Sequence, residues 1–260
     1  MDLDWQNLVE KLESFVWLYP FVMGWLWITG GILYWLFRER ESPPPSELPV
    51  MEEPPRVAVI VPCFNEEENI ADTVGALARQ VYPDYEVIAV NDGSSDRTAE
   101  ALEFLQQRYG FLRVVNLEHN RGKAMALRVG VAATDAEYVI CIDGDALLEA
   151  HALSWLVYAL TLRPNIGGVT GNPRIRNRKT LLGRLQVGEF CSIIGLIKRT
   201  QSVYGRMFTV SGVVCGFRQR ALHEVGYWGL DMLTEDIAIT LRQQQDTSRI
   251  CPAPSHLCTA

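Results

Sequence analysis

Apolar and polar positions along this chain fall into two regimes. From Phe15 to Phe37 no charged residue occurs. The 23 residues of this run, at about 1.5 Å each in a helix, reach roughly 34 Å, enough to cross a bilayer core. Trp17, Trp25, Trp27 and Trp35 lie within it. Two of them sit near its ends, where interfacial anchors belong. The pattern predicts a transmembrane helix over 15–37, with a buried core helix as the alternative. The preceding segment sets Asp2, Asp4, Glu10 and Glu13 against Lys11, the wrong charge for a signal peptide. Arg38 and Arg40 follow the run, so the positive-inside bias places the remaining bulk in the cytoplasm. Residues 1–41 thus form an N-terminal membrane segment.

Residues 42–56 carry six prolines and several acids and read as an extended linker. From Val57 the pattern changes to alternating strands and helices. Strands are predicted at Val57–Val61, Tyr85–Val90, Leu112–Asn116, Tyr138–Ile142 and Gly167–Thr170. Helices are predicted at Glu67–Gln80, Thr98–Tyr109, Lys123–Ala133 and Ala150–Leu162, with Ser95 or Asp96 as the N-cap of the second. This order implies an α/β domain with a mostly parallel sheet and helices on both faces. After Asn172 the character shifts. Pro173 to Lys179 is basic, and Leu181 to Thr200 reads as a helix apolar along one side. That helix either packs on the domain or lies at the membrane surface, closed by Lys198 and Arg199. Met207–Val210 is strand-like. The domain is expected to run over 57–245, followed by an atypical tail over 246–260.

Composition narrows the reading. A hydrophobic content of 48% with 21% charged residues argues against disorder. The net charge of −7 argues against a nucleic-acid partner. The six cysteines form no Cys-x-x-Cys pair, which favours buried thiols in a reducing compartment.

The chemistry starts at Asp143-Gly144-Asp145, directly after the apolar run Tyr138–Ile142. The carboxyl end of a strand is where open α/β sheets bind ligands. Two carboxylates one residue apart can hold a hard divalent cation, which can hold a diphosphate. Asn91-Asp92-Gly93-Ser94 follows another strand. Asp92 there suits a nucleotide base or sugar, or serves as a plain turn residue. Asn120-Arg121-Gly122-Lys123 opens a helix whose free N–H groups suit a phosphate, although a lone lysine is also ordinary surface charge. It lacks Walker spacing, and no Gly-x-Gly-x-x-Gly follows the first strand. Thr234-Glu235-Asp236 precedes an apolar stretch, and alone it is a capping pattern. Ser211-Gly212 alone is a turn.

In this order the pieces resemble a known family. Val61-Pro62-Cys63-Phe64-Asn65-Glu66, Asn91-Asp92-Gly93-Ser94, Asn120-Arg121-Gly122-Lys123, Asp143-Gly144-Asp145 and Thr234-Glu235-Asp236 look like the motifs of family 2 glycosyltransferases with the GT-A fold. A narrower resemblance, to bacterial poly-β-1,6-N-acetylglucosamine synthases of biofilm exopolysaccharide, rests on Thr170 to Arg176, Ile193 to Gln201 and Phe208 to Gly212. The resemblance implies a membrane-anchored inverting transferase in the bacterial inner membrane. It would move N-acetylglucosamine from UDP-N-acetylglucosamine to a growing polysaccharide, with its catalytic domain cytoplasmic. It implies that Phe64, Glu66 and Asp92 line a uridine pocket and that Lys123 lies near the sugar nucleotide. Asp143 and Asp145 would face the diphosphate and hold Mg²⁺ or Mn²⁺. Ser211 and Gly212 would border the acceptor sugar beside Glu235, and Asp236 would be the catalytic base. It also implies a small membrane partner subunit.

The family pattern continues into a Gln-x-x-Arg-Trp motif and further membrane helices. Gln243-Gln244-Gln245-Asp246 is not that motif, and no tryptophan follows Trp228. The expectation is a C-terminally truncated or frame-altered copy. Two other readings stay open: a nucleotide-sugar-binding remnant without turnover, and a related synthase of hyaluronan, chitin or cellulose type.

Overall fold

The computed structural model describes residues 5–40, 48–174, 180–205, 207–229, 235–245 and 249–252. The start of the proline-rich linker, most of the basic stretch, Thr234 and most of the tail lie outside these residues. Helix α1 (Trp5–Tyr34) continues into a π-helical turn, Trp35–Glu39. Over Val9–Glu39 it is long and apolar enough to cross a membrane, and 6% of its most apolar window is buried against the rest of the chain. It therefore starts about one helical turn or more before the predicted run, because Val9 and Leu12 extend the apolar pattern past Glu10, Lys11 and Glu13.

The domain is built on a seven-stranded sheet. Strands β1 (Val57–Cys63), β2 (Tyr85–Asp92), β3 (Leu112–Leu117) and β4 (Tyr138–Ile142) are parallel, in the order β3-β2-β1-β4. Beyond β4 lie β6 (Val214–Arg218), β5 (Ile166–Thr170) and β7 (Arg249–Pro252). β6 runs antiparallel to both β4 and β5, and β7 is parallel to β5. The five predicted strands from β1 to β5 are present. β6 and β7 have no counterpart among the predicted strands, and Met207–Val210 forms no strand.

Strands buried on both faces explain the unbroken apolar runs. Side chains of β1 alternate between two cores: Val57, Val59 and Val61 on one side, Ala58 and Ile60 on the other. The first core takes α2 (Ile70–Leu77), α3 (Thr98–Arg108) and α5 (Ala152–Thr161). The second takes α4 (Lys123–Ala132), α8 (Gln219–Glu224) and Ile239 of α9 (Glu235–Gln245). Asp96 accepts the Thr98 N–H at 3.0 Å where α3 begins, but the N-cap position is Arg97, one residue after the predicted Asp96. The predicted helix over 67–80 is shorter, because Glu67 turns back and its carboxylate accepts the Arg97 N–H at 2.9 Å.

The helix predicted over 181–200 is α6 (Leu181–Phe190), a π-helical segment Cys191–Ile197, and α7 (Lys198–Tyr204). It packs on α1. Thr200 and Leu196 occupy the space a side chain would need at Gly30 and Gly31. The Thr200 hydroxyl donates to the Trp27 carbonyl at 2.9 Å, and Arg199 pairs with Glu39 at 3.0 Å. Cys63, Cys141 and Cys215 are buried free thiols, but Cys191, the first residue of the π segment, is exposed.

Neighbouring strands β1 and β4 connect onward in opposite directions, β1 to β2 on one side and β4 to β5 on the other. The carboxyl ends of β1, β2 and β4 therefore bound a crevice at a topological switch point. Gly93, which follows β2, has φ +63, and a Cβ there would stand 2.6 Å from the backbone of His119 and Asn120. Gly93→Ala combines a left-handed backbone with an unyielding clash. It is expected to lower stability by about 2–4 kcal/mol, read as a fall in thermal midpoint.

Candidate active site

A cavity of about 430 Å³ opens in that crevice, within the range of small-molecule sites. Phe64 and Glu66 reach it from the loop after β1, Asp92 from the end of β2, Lys123 from the start of α4, and Asp143 and Asp145 from the turn after β4. Six of the predicted residues thus meet in one place, although they come from four separate stretches of chain.

Each is held by identifiable contacts. Asn65 adopts φ +56. Its side chain accepts the Ser95 N–H at 2.9 Å, and its own N–H donates to the Ser94 hydroxyl at 3.0 Å. The loop after β1 is thereby tied to the loop after β2, and half-exposed Phe64 is presented at the cavity. The Glu66 N–H donates to the Thr98 hydroxyl at 2.8 Å. Burial, then the Glu66 charge, pushes the neighbouring Cys63 thiol far up, so Cys63 stays protonated and unreactive.

Asp92 is 2% exposed. Its two carboxylate oxygens accept the N–H groups of Arg121 and Gly122, each at 2.8 Å. A buried carboxylate receiving two backbone donors forms strong hydrogen bonds. Asp92 therefore shapes the loop that leads into α4 as well as facing the cavity. The turn after β4 is fixed in the same way: the Thr73 hydroxyl donates to the Gly144 carbonyl at 2.7 Å.

Lys123 links the two halves of the site. Its ammonium lies 2.6 Å from Asp143 Oδ1 and donates to the Gly212 carbonyl at 3.1 Å. Burial works against this charge, but Asp143, and after it Asp236 and Cys215, outweigh burial and hold the Lys123 proton above the usual lysine range. Lys123 is thus an ammonium at neutral pH.

Ser211, Gly212 and Asp236 do not line the cavity but adjoin it through Lys123. Three successive residues are clamped there. The Val210 N–H donates to Thr240 Oγ1 at 3.0 Å, the Ser211 N–H donates to Thr170 Oγ1 at 2.7 Å, and the Gly212 carbonyl accepts from Lys123. Side-chain contacts, rather than sheet pairing, thus hold the end of Met207–Val210 and the residue after it, and the segment is not a strand. A Cβ on Gly212 would fall far inside contact distance of Asp236 Oδ2, so the Asp236 carboxylate rests directly on the Gly212 backbone. Glu235 is the first residue of α9. Thr170 and Thr240 join the site without any announcement in the sequence. Their signal is thin, since buried threonines at such positions look like strand and helix filler.

The arrangement places an ammonium and the Asp143/Asp145 pair in one crevice, with the partly buried Asp236 carboxylate beside it across Gly212. The region 58–226 matches the family model described as "Glycosyl transferase family 2". The chain belongs to that family. It is 40% identical over 248 residues to a poly-β-1,6-N-acetyl-D-glucosamine synthase of Staphylococcus epidermidis, covering 94% of this chain and 60% of the relative. It is 38% identical over 246 residues to the synthase of the same name from Staphylococcus aureus strain COL, with the same shares. The chain thus spans about 60% of the length of these curated relatives. Among solved structures, a mannosyltransferase of Pyrobaculum calidifontis in complex with GDP-Man and Mn²⁺ superimposes with a TM-score of 0.68 at 23% identity, over 90% of this chain and 65% of that one. TarS of S. aureus in complex with UDP-GlcNAc gives 0.60 at 20% identity, over 79% and 58%. The fold is GT-A-like, with a mostly parallel mixed sheet.

Proposed function

We propose that this family 2 glycosyltransferase is a membrane-anchored inverting enzyme. It transfers N-acetylglucosamine from UDP-N-acetylglucosamine to a growing β-1,6-linked polysaccharide. The observation that carries this reading is the link from Asp143 through Lys123 to Gly212, against which Asp236 rests. It joins a nucleotide-sized cavity to a carboxylate suited to act as base. The 40% identity to a poly-β-1,6-N-acetyl-D-glucosamine synthase supports the proposed product, and the UDP-GlcNAc complex of TarS is in keeping with the proposed donor. α1 is the anchor, with the domain on the cytoplasmic side.

In this reading the uridine sits against Phe64 and Glu66, near Asp92, and the diphosphate lies toward Lys123. The donor set also fits a divalent cation. Asp143 and Asp145 offer hard oxygen ligands, and Mg²⁺ or Mn²⁺ is commonly held by one or two carboxylates completed by phosphate oxygens and water. Among the described residues no group of three or more His, Cys, Asp or Glu side chains could enclose a metal alone. Asp145 would be the main ligand, because Asp143 is already paired with Lys123. Bound there, the ion would act as a Lewis acid toward the charge that develops on UDP. Lys123 supplies a second positive charge to the same leaving group. Asp236 takes the proton of the acceptor hydroxyl as that oxygen attacks the anomeric carbon and the bond to UDP breaks. Ser211 and Gly212 form the wall along which the acceptor lies.

The test is UDP release from UDP-N-acetylglucosamine by the purified chain in lipid nanodiscs. Release that requires Mg²⁺ or Mn²⁺ is expected. A second reading is a donor-binding protein without turnover, since Asp92, Lys123 and Asp143 line the cavity while Asp236 lies outside it. UDP binding with no release would replace the first reading with that one.

A further inference from the structure

Lys198 closes an apolar helix in the sequence, where a solvated or interfacial charge is expected. The structure instead buries it, at 6% exposure. Among the described residues its hydrogen-bond partner is the Thr170 hydroxyl, at a long 3.4 Å. A buried ammonium with so little compensation costs several kcal/mol of desolvation. Burial pushes its pKa down to about 8, against the pull of Cys215 and then Asp236. A residue retained at such a cost is a candidate for function.

Its surroundings say which function. Thr170 Oγ1, which Lys198 contacts, is the acceptor of the Ser211 N–H, and Ser211 precedes the glycine on which Asp236 rests. The two residues after Lys198 fix it from the other side. Arg199 pairs with Glu39 and lies 5.9 Å over the Tyr34 ring, and Thr200 donates to the Trp27 carbonyl. Three consecutive residues of α7 thus connect the membrane helix with the floor of the site.

We propose that Lys198 is a positioning residue for the transfer step: braced by α1, it supports the Thr170–Ser211 link and, by its charge, holds the Asp236 carboxylate in place. This rests on the transferase reading for its role, though the contact itself does not. Among the described residues, Lys123, Lys198 and the Cys215 thiol are titratable groups that interact with Asp236. Lys198 is not among the residues lining the donor cavity.

The test uses the full chain in nanodiscs, comparing wild type, Lys198→Met and Lys198→Arg. Lys198→Met is expected to lower kcat by about 10- to 100-fold through a displaced base, with the dissociation constant for UDP-N-acetylglucosamine changed by less than about twofold. The acid limb of its kcat–pH profile should move to higher pH, because a positive charge beside Asp236 is gone. Its thermal midpoint should not fall, since a buried ammonium with one long hydrogen bond gives way to an apolar side chain. Lys198→Arg should recover part of kcat. The unfolded chain keeps the lysine proton up to about 10.4, so wild-type stability should rise with pH from about 8, where Lys198 titrates in the folded chain. Any midpoint advantage of Lys198→Met should therefore narrow above that pH. Unchanged kcat, or a midpoint that falls in step with kcat, would overturn the proposal in favour of mere packing.

A measurement without turnover separates this from the function itself. In a double-mutant cycle of unfolding midpoints, Asp236→Asn should cost more stability in the wild-type background, where the Lys198 charge is present, than in the Lys198→Met background. Additive effects would overturn the coupling whatever the enzyme does. Coupling in a chain that releases no UDP would overturn the transferase reading alone.

Discussion

Asp236→Asn is expected to lower UDP release from UDP-N-acetylglucosamine by about 10²- to 10⁴-fold, the usual contribution of a positioned general base. Donor affinity should change little, because Asp236 lies beyond the cavity that Phe64, Asp92 and Asp145 line. Asparagine has the same shape, so the backbone frame should survive. The Thr240 hydroxyl donates to the Asp236 carbonyl at 2.5 Å and accepts the Val210 N–H, and neither contact uses the carboxylate. Losing an acid in the first turn of α9 costs about 0.3–1 kcal/mol through the helix dipole, to which the lost attraction to Lys123 and Lys198 adds. Steady-state rates with a parallel donor titration check both halves. A variant that keeps its rate would remove Asp236 from the chemistry.

Gly212→Ala is expected to lose about 100-fold in kcat, for a different reason. The added Cβ would lie 3.1 Å from Asp236 Cγ and closer still to Oδ2. The atoms it meets are the end of a side chain, so the carboxylate swings away and the fold gives little. A displacement near 1 Å can cost a factor of about 100 where reacting groups must be aligned. Overpacking should take about 1 kcal/mol from stability. Adding Gly212→Ala to Asp236→Asn should bring little further loss, since residues acting as a unit are not additive. Rates for the two single variants and the pair provide the check. Independent, multiplying losses would show that the glycine serves something other than the carboxylate.

Features with a local physical cause are legible in the chain itself. The strands from Val57 to Thr170 are apolar runs of strand length bounded by turn residues, and each exists within a few residues of its expected ends. Asp143, Asp145 and Asp92 declare themselves because a strand delivers them to the sheet's edge. Other features depend on partners far along the chain. β6 is a short run, Val214-Cys215-Gly216-Phe217-Arg218, and nothing within it says that it enters antiparallel between β4 and β5. Asp92 reads as a turn residue until the amides of Arg121 and Gly122 are seen to close on it. Lys198 reads as a helix-end charge facing water or lipid headgroups. Its burial follows from α7 being held on α1 while its other side meets Thr170.

A site that grips the donor through hard oxygens and an ammonium must lose that grip when a key oxygen is altered. The most direct measurement is a calorimetric titration of UDP-N-acetylglucosamine with Mg²⁺ into the wild-type chain and into Asp145→Asn. One binding site is predicted for the wild type, weakened at least about tenfold in the variant, with chelation of Mg²⁺ weakening wild-type binding in the same way. Equal affinity in both chains, with or without the cation, would contradict the assignment of this crevice as a nucleotide-sugar site.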